Sequence, residues 1–371
     1  MSRISRRVQG HALFFPAASA YAAFALPASI ASMLGLVPAV PGLAFGAGHG
    51  HEMLFGFALA VVAGNQLGPT PIGRLAALFG ASAIARVAFL AAPHSLVAAL
   101  ASGAFALLLA LQLAPRLLGR AKKARNRALP LTLVALCASA LAIQVALHLG
   151  SYRAQQGVLL VGLLLLGLLM LFMGGRIIAP AAAGQFYRQG EDLAARVQPR
   201  IEGWLIVVML LAVVAGALGL WPVAGAGAIA AGVLAVVRMA RWRLWSIGGR
   251  PDLACLGLGY AWLALGLAAL GVALITGQRI TTALHIVTVG SIGTLTINVM
   301  ALTWARVARR DPARDRLPLW ATGLIALATV ARVLADFSIA EARLLLLAAA
   351  ACWSAAYVLL LVSFARSRHR E

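Results

Sequence analysis

The residues best suited to chemistry in this sequence are histidines that stand near the ends of long apolar runs. His49 and His51 precede one run, with Glu52 beside them; His148 closes a second run, and His285 lies about one turn into a third. Imidazole nitrogen is a ligand for haem iron, copper and zinc alike. Ionisable groups at membrane depth are costly and usually mark functional sites. The histidines therefore predict a haem or metal site.

The spacing of the first pair restricts how it could bind. Two residues along a helix correspond to a rotation of about 200°, so one helical face cannot present both His49 and His51 to one ion. The pair therefore predicts either two centres or a non-helical approach at Gly50, which would let both rings hold one ion.

The composition is that of a membrane protein. Of 371 residues, 62% are hydrophobic and 11% charged, whereas soluble domains hold about 45–50% apolar and about 25% charged residues. The net charge of +21 would suggest nucleic acid in a soluble chain, but in a membrane protein it reports topology, so we expect no nucleic-acid partner. The three cysteines are isolated and form no CxxC or CxxCH motif, which disfavours disulfides and covalent haem.

A membrane-spanning helix needs about 20 mostly apolar residues. On that basis the sequence predicts an all-α polytopic membrane protein, with a single integral membrane domain over residues 1–371 and twelve helices in one bundle. The start of the chain imitates a signal peptide, but its apolar stretch continues to Leu36, so we interpret it as a retained first helix. The predicted helices cover residues 12–36, 50–67, 73–92, 95–114, 129–149, 156–174, 203–221, 223–238, 253–275, 281–302, 318–337 and 342–364.

The distribution of positive charge predicts the orientation. With the N-terminus inside, 26 of the 31 Lys and Arg residues fall in cytoplasmic segments, 3 fall outside and 2 lie within helices. Because Lys and Arg collect in cytoplasmic loops, this alternation predicts twelve spans with both termini in the cytoplasm. The longest segment between helices, 175–202, is polar and is a candidate surface helix.

This topology brings the histidines to one depth. His49 and His51 lie at the outer end of the second helix, His148 at the outer end of the fifth, and His285 near the outer end of the tenth. We expect these four rings to converge. The acids on the same side are few, which disfavours a di-iron carboxylate or calcium site: Glu52, Asp336 and Glu341.

Two arginines and a glutamine are candidates to support the site. Arg86 and Arg332 stop one to two turns short of the outer surface, where they could bind an anionic group such as the haem propionates. The alternatives are that they extend toward the interface or that Glu52 pairs with one of them. Gln144 stands four residues before His148, on the same face, and could orient that ring.

Several motifs of the sequence are similar to those of a known family. The most specific are His49-x-His51-Glu52-Met53-Leu54-Phe55-Gly56-Phe57 and the run from His285 to Thr294, HIVTVGSIGT. The weaker ones appear in matching order between these two: Ala85-Arg86, Ala146-Leu147-His148-Leu149-Gly150, Gly174-Gly175-Arg176-Ile177-Ile178 and Leu258-Gly259-Tyr260. Over nearly its whole length the chain resembles the NnrS family of bacterial membrane proteins. It departs from the family pattern at residues 65–69 and 306–309.

The resemblance implies a multi-pass protein of the bacterial inner membrane that binds non-covalent haem b and copper and takes part in the response to nitric oxide, in denitrification or nitrosative stress. His49, His51, His148 and His285 would then be metal ligands, and Arg86, Arg332 and Gln144 would support the cofactor. Partners implied are the lipid bilayer, nitric oxide or a related small molecule, and an electron donor of unknown identity. Reduction, scavenging and protection of other metal centres remain alternative roles, so the chain could be an enzyme or a non-catalytic haem and copper protein.

Two other classes compete with this interpretation. Twelve spans also suit a secondary transporter of a metal or small anion, although transporter sites usually lie near the midplane. A relative of the haem-copper oxidases would need an adjacent His-His pair and a His-Pro-Glu element, which the sequence lacks.

Overall fold

The fold is almost entirely helical, in a computed structural model that describes residues 7–368, apart from the side chains of Ala124 and Arg368. Four residues of the chain ends that the charge count or the histidines include lie outside the described residues: Arg3, Arg6, His369 and Arg370. Eleven helices are long and apolar enough to cross a membrane. A further helical segment, residues 46–66, consists of three consecutive pieces of 6, 7 and 8 residues. Together they confirm the predicted all-α polytopic architecture with twelve helical spans.

The spans are numbered here in chain order. They are α1 Gly10–Met33, α2 46–66, α3 Ile72–Ala91, α4 Leu96–Arg120, α5 Ala128–His148, α6 Tyr152–Arg188, α7 Pro199–Ala217, α8 Trp221–Arg241, α9 Pro251–Thr276, α10 Ile280–Val307, α11 Arg316–Leu334 and α12 Ala342–Arg368. Short 3-10 turns are Ala124–Arg127, Ala194–Arg196, Leu244–Ser246 and Pro312–Arg314. The strands β1 Arg7–Gln9 and β2 Pro69–Pro71 pair antiparallel, a small element that hydropathy did not predict.

Two of the spans are not uniform α-helices. In α2 the π-helical segment Glu52–Ala58 lies between the α-helical pieces Gly46–His51 and Leu59–Gln66. In α10 the π-helical segment is Ile286–Gly293. Such single-turn π segments are rare in helices and occur frequently at functional sites.

The chain divides into two compact units, with the boundary between Gly162 and Leu163 inside α6. In unit 1, α1 packs on α2, and α4 packs on both α3 and α5. In unit 2, α8 packs on α7 and α9, α9 packs on α10, and α11 packs on α12. The prediction of one domain in a single bundle stays a prediction.

Two sequence expectations differ from the structure in detail. The helix predicted to end at 174 continues to Arg188, so the polar segment is not a separate surface helix. Backbone hydrogen bonds need no apolar side chains, and a helix can therefore extend past its apolar stretch. Arg238, counted among the loop charges, lies inside α8 and is buried. The break predicted between the helices 203–221 and 223–238 is present, because α7 ends at Ala217 and α8 begins at Trp221.

Candidate functional site

Several predicted site residues of unit 1 form a buried charged network around Glu52. Its carboxylate Oε1 accepts hydrogen bonds from Arg86 Nη1 at 2.5 Å and from His51 Nδ1 at 2.8 Å. The hydroxyl of Tyr21 donates to the other carboxylate oxygen, Oε2. His51 and Glu52 are fully buried, so charge and hydrogen bonding inside the unit replace the water that both groups have lost.

The local fold explains how these groups reach each other. His51 ends the first α-helical piece of α2 and Glu52 begins the π segment. A Cβ at Gly56 would lie 2.6 Å from Arg86 Nη1 and 2.9 Å from Glu52 Oε2. The glycine in the signature motif therefore leaves room for the guanidinium of α3 against α2. Of the three predicted roles of Arg86, the structure shows the pair with Glu52, and its Nη2 is also 3.5 Å from Ser102 Oγ.

The ring of His51 has a hydrogen-bond partner at each nitrogen and an aromatic ring against one face. Its ring stacks on Phe89 with centroids 3.9 Å apart. Because a carboxylate only accepts, Nδ1 carries the proton that is donated to Glu52, and Nε2 then carries the lone pair of the neutral ring. The amide Nε2 of Gln144 lies 2.6 Å from His51 Nε2 and donates to it. The Oε1 of Gln144 is buried with no hydrogen-bond partner.

Gln144 thus contacts a different histidine from the one expected. The sequence predicted that it would orient His148, one helical turn further along α5. In the structure Gln144 is buried and bonded to His51, whereas His148 is exposed at the end of α5. Spacing along one helix gave the shared face but could not reveal the partner from α2.

His49 and His285 carry their ring protons on the same nitrogen as His51. The Oγ of Ser29 donates to the carbonyl oxygen of Leu43, so it accepts from His49 Nδ1 at 3.0 Å. In unit 2, His285 Nδ1 donates to the carbonyl oxygen of Thr281 at 2.7 Å. A metal-binding histidine usually donates its other N–H to a carboxylate, carbonyl or similar acceptor, which fixes the tautomer.

The surroundings of His285 include the second predicted arginine. Arg332 Nη1 donates to Asp336 Oδ1 at 2.7 Å, and Thr282 Oγ1 donates to Asp336 Oδ2 at 2.7 Å. Burial raises the pKa of Asp336, but the hydrogen bonds from Thr282 and Arg332, with the charges of Arg332 and His285, bring that pKa below its ordinary value. Both candidate arginines are therefore paired with a carboxylate of the chain.

The convergence of His49, His51, His148 and His285 on one site stays a prediction. Among residues 7–368, no three His, Cys, Asp or Glu side chains form a group that could hold a metal ion. Sequence reasoning missed Tyr21, whose hydroxyl completes the Glu52 network, because a tyrosine in an apolar span carries no signal of its own.

A comparison with protein families now bears on this geometry. The sequence model of the NnrS protein family matches residues 7–369. The chain belongs to the NnrS family. No curated protein matches it. The NnrS match covers both histidine-bearing π-helical spans and both arginine–carboxylate pairs, and membership in this family points to a membrane protein of the nitric oxide response.

Proposed function

We propose that this protein lies in the bacterial inner membrane and binds haem, together with copper, at histidines in the outer leaflet of that membrane. It uses that centre to bind or detoxify nitric oxide. The observation that carries the proposal is the shared proton position of three candidate ligands, His49, His51 and His285, each of which donates Nδ1–H to an acceptor. In this tautomer Nε2 carries the lone pair with which a neutral imidazole binds a metal.

His51 is the ligand that we propose for haem iron. Haem iron needs only one or two protein ligands, so the lack of a three-residue cluster among the described residues does not oppose it. The amide of Gln144 lies against Nε2 and has to swing aside for a metal bond there. Its buried carbonyl oxygen has no partner, so this amide is not fully held. Copper is supported by the family resemblance alone.

The chain's own residues would then have separate tasks. Glu52 accepts the Nδ1 proton of His51 and so raises the basicity of the ring, and Arg86 and Tyr21 keep that carboxylate ionised and fixed. The stacked ring of Phe89 excludes water from one face of His51. When bound, haem iron supplies a coordination position for nitric oxide, a small apolar molecule that can arrive through the bilayer.

The test is the visible absorption spectrum and metal content of the detergent-purified protein. We expect a haem band in the wild type that His51→Ala abolishes and that His49→Ala, His148→Ala or His285→Ala weakens or shifts. Arg332→Ala is expected to lower haem occupancy if that arginine serves a propionate. His94→Ala is the matched control, because His94 is exposed and stacks on Phe45 in unit 1.

Two results would contradict the proposal. One is wild-type protein that carries no haem and takes none up when haem is supplied. The other is a His51→Ala variant with the same haem content as His94→Ala. Circular dichroism of each variant separates loss of cofactor from loss of the helices.

A secondary transporter is the second candidate, favoured by one observation. Glu52 and Arg86 form a buried ion pair beside a non-α segment of α2, and transporters place binding groups at irregular parts of membrane helices. If the purified protein lacks haem, uptake of a metal or small anion into proteoliposomes, abolished by Glu52→Gln, would support this alternative.

A further inference from the structure

Unit 2 contains a buried cluster of polar and aromatic residues that the proposed haem chemistry does not use. It is centred on Arg238, which is 4% exposed and lies on the last turns of α8. Its Nη1 donates to the carbonyl oxygen of Leu171 at 2.8 Å. Among the ion pairs between residues 7–368, none includes Arg238. A guanidinium cannot lose its proton in a protein, so a full positive charge is buried here without a carboxylate.

Three unused hydrogen-bond donors meet at this charge. Arg238 Nε and Trp242 Nε1 are buried with no hydrogen-bond partner, and the hydroxyl of Tyr260, which interacts with the Arg238 guanidinium, has no acceptor for its own proton. The guanidinium lies 5.4 Å from the ring centre of Trp242, and the rings of Trp242 and Tyr260 are 4.9 Å apart. Orphaned buried donors are rare in proteins and each needs an explanation. Three beside one cation call for a ligand that accepts hydrogen bonds and is negative.

Two glycines bring α6 against this cluster. A Cβ at Gly174 would lie 2.5 Å from Cε2 of Tyr260, and a Cβ at Gly175 would collide with Nη2 of Arg238. Both glycines come from the Gly-Gly-Arg-Ile-Ile motif, and Tyr260 comes from the Leu-Gly-Tyr motif. The cluster therefore gives these two motifs a common location, which the histidine site does not.

Gln198, the residue before α7, contacts the end of α8 at this cluster. Gln198 Nε2 donates to the backbone carbonyl oxygens of Ala195 and Arg238 at 3.1 and 3.4 Å, which holds the end of α8 in place. One acid, Glu202, is half-buried on α7 and influences Tyr260 electrostatically. Its charge could stabilise the cation at a distance, so the test includes it.

We propose that Arg238, Trp242 and Tyr260 bind a phosphate-type oxyanion at the inner end of unit 2. The charge count assigns this end to the cytoplasmic face, where phospholipid headgroups present phosphate. Exposed Arg241, Arg243 and Trp245 follow on the next turns. Basic pockets between membrane helices on this face bind anionic headgroups, and a planar guanidinium matches phosphate oxygens better than an ammonium does. A free phosphate group has the same chemistry.

The experiment measures ligand-dependent thermal unfolding of delipidated, detergent-purified full-length protein. Phosphatidylglycerol in mixed micelles is compared with galactosyl diacylglycerol, which has no phosphate, and inorganic phosphate is compared with chloride. We expect phosphatidylglycerol to raise the unfolding midpoint and galactosyl diacylglycerol to have no such effect. A response to inorganic phosphate as well identifies a site for free anions; a response to the lipid alone identifies a headgroup site.

The decisive variants are Tyr260→Phe and Trp242→Phe, which remove one donor each and keep the ring. A hydrogen bond to a charged group corresponds to a tenfold or larger change in affinity, so each variant should need about tenfold more ligand for the same stabilisation. The unfolding midpoint of each variant without ligand is the reference from which its ligand-dependent shift is measured. Tyr357→Phe is the matched control: that tyrosine is fully buried in unit 2, but its hydroxyl bonds Thr296.

Two outcomes would overturn the site. In the first, neither phosphate source stabilises the wild type beyond its control. In the second, Tyr260→Phe and Trp242→Phe respond to ligand as Tyr357→Phe does. If Glu202→Gln alone abolishes the stability of the ligand-free protein while ligand has no effect, Glu202 is the counter-charge and the site is not an anion site. None of these results depends on haem, so they are distinct from failure of the proposed function.

Discussion

His51 in unit 1 and His285 in unit 2 occupy the same position in two spans that share a local design. Each histidine is the last residue before a π-helical segment, and each is followed five residues later by a glycine, Gly56 or Gly290. Their surroundings differ, since His51 is fully buried whereas His285 is only partly buried. The shared position before a π segment therefore does not by itself determine how deeply the histidine ring is buried.

The arginines of the next span extend the comparison. Arg86 in α3 and Arg332 in α11 both stand in an Ala-Arg-Val sequence, and both pair with a carboxylate. In unit 1 the carboxylate, Glu52, comes from the histidine's own span. In unit 2 it is Asp336, four residues beyond the arginine, and Thr282 of the histidine's span reaches it through a hydroxyl. In unit 1 the acid that joins the two spans therefore belongs to the histidine-bearing span. In unit 2 it lies at the end of the arginine-bearing span.

This exchange changes the strength of the link between the spans. In unit 1 the ion pair itself bridges α2 and α3, and its acid, Glu52, is fully buried. Removing either charge would leave the other one buried without its partner. In unit 2 the ion pair is local to the end of α11, its side chains are 14% and 24% exposed, and a neutral hydroxyl makes the bridge. Breaking the link between the two spans should therefore cost more in unit 1 than in unit 2.

The largest expected effect is loss of the buried arginine. Arg86→Met leaves Glu52 buried without its cation, which should lower the free energy of unfolding by about 3–5 kcal/mol. Arg332→Met should cost about 1 kcal/mol or less, because that pair is local and partly solvated. Thermal and denaturant unfolding of the two purified variants makes the comparison. Equal losses in both would show that the burial of the pair is not what distinguishes the units.

A smaller effect is expected at the two matched glycines. Gly56→Ala places a methyl group against Arg86 and Glu52 and should destabilise by about 1–3 kcal/mol, as overpacking does. At Gly290 the nearest atoms are 3.0–3.2 Å away, on Trp262 and Thr329, so Gly290→Ala should cost less. The unfolding midpoints of the two alanine variants decide the order. A larger loss at Gly290 would contradict the role assigned to Gly56.

The smallest effect is a pH dependence confined to unit 2. The pKa of Asp336 in the folded protein lies below its ordinary value of 3.8, so the paired carboxylate stabilises the fold above that pH. The contribution is lost as the pH falls below 3.8 and through the folded pKa. Asp336→Asn should therefore be less stable than the wild type at pH 7, with the gap closing as the pH falls below 3.8 and through the folded pKa. A gap that stays constant with pH would contradict this, and Glu341→Gln, at an exposed acid, is the control.

The sequence predicted the helices well because hydropathy reports them directly. All twelve predicted spans correspond to helical segments, with most ends within a few residues. The π segments were not predictable, since they depend on hydrogen bonds that no residue type requires. The polar extension of α6 to Arg188 was missed because its composition is that of a loop.

Side-chain partners across helices were the harder part of the site. The sequence named Glu52 as one candidate partner for an arginine, which the pair with Arg86 matches. It assigned Gln144 to the wrong histidine, because periodicity gives the face of a helix but not the helix it meets. It counted Arg238 as a loop charge, since a charge count records position along the chain and not burial.

The π segments also have a consequence for how the histidines are aimed. A π turn holds one residue more than the α-helical register needs, so the stretches on its two sides are out of rotational phase. Deleting one residue from 286–293 would restore a continuous α-helix and turn the outer end, with His285, by about 100° relative to the inner end. The direction in which each ring faces is therefore set by a residue count within the helix, independently of which side chains fill it.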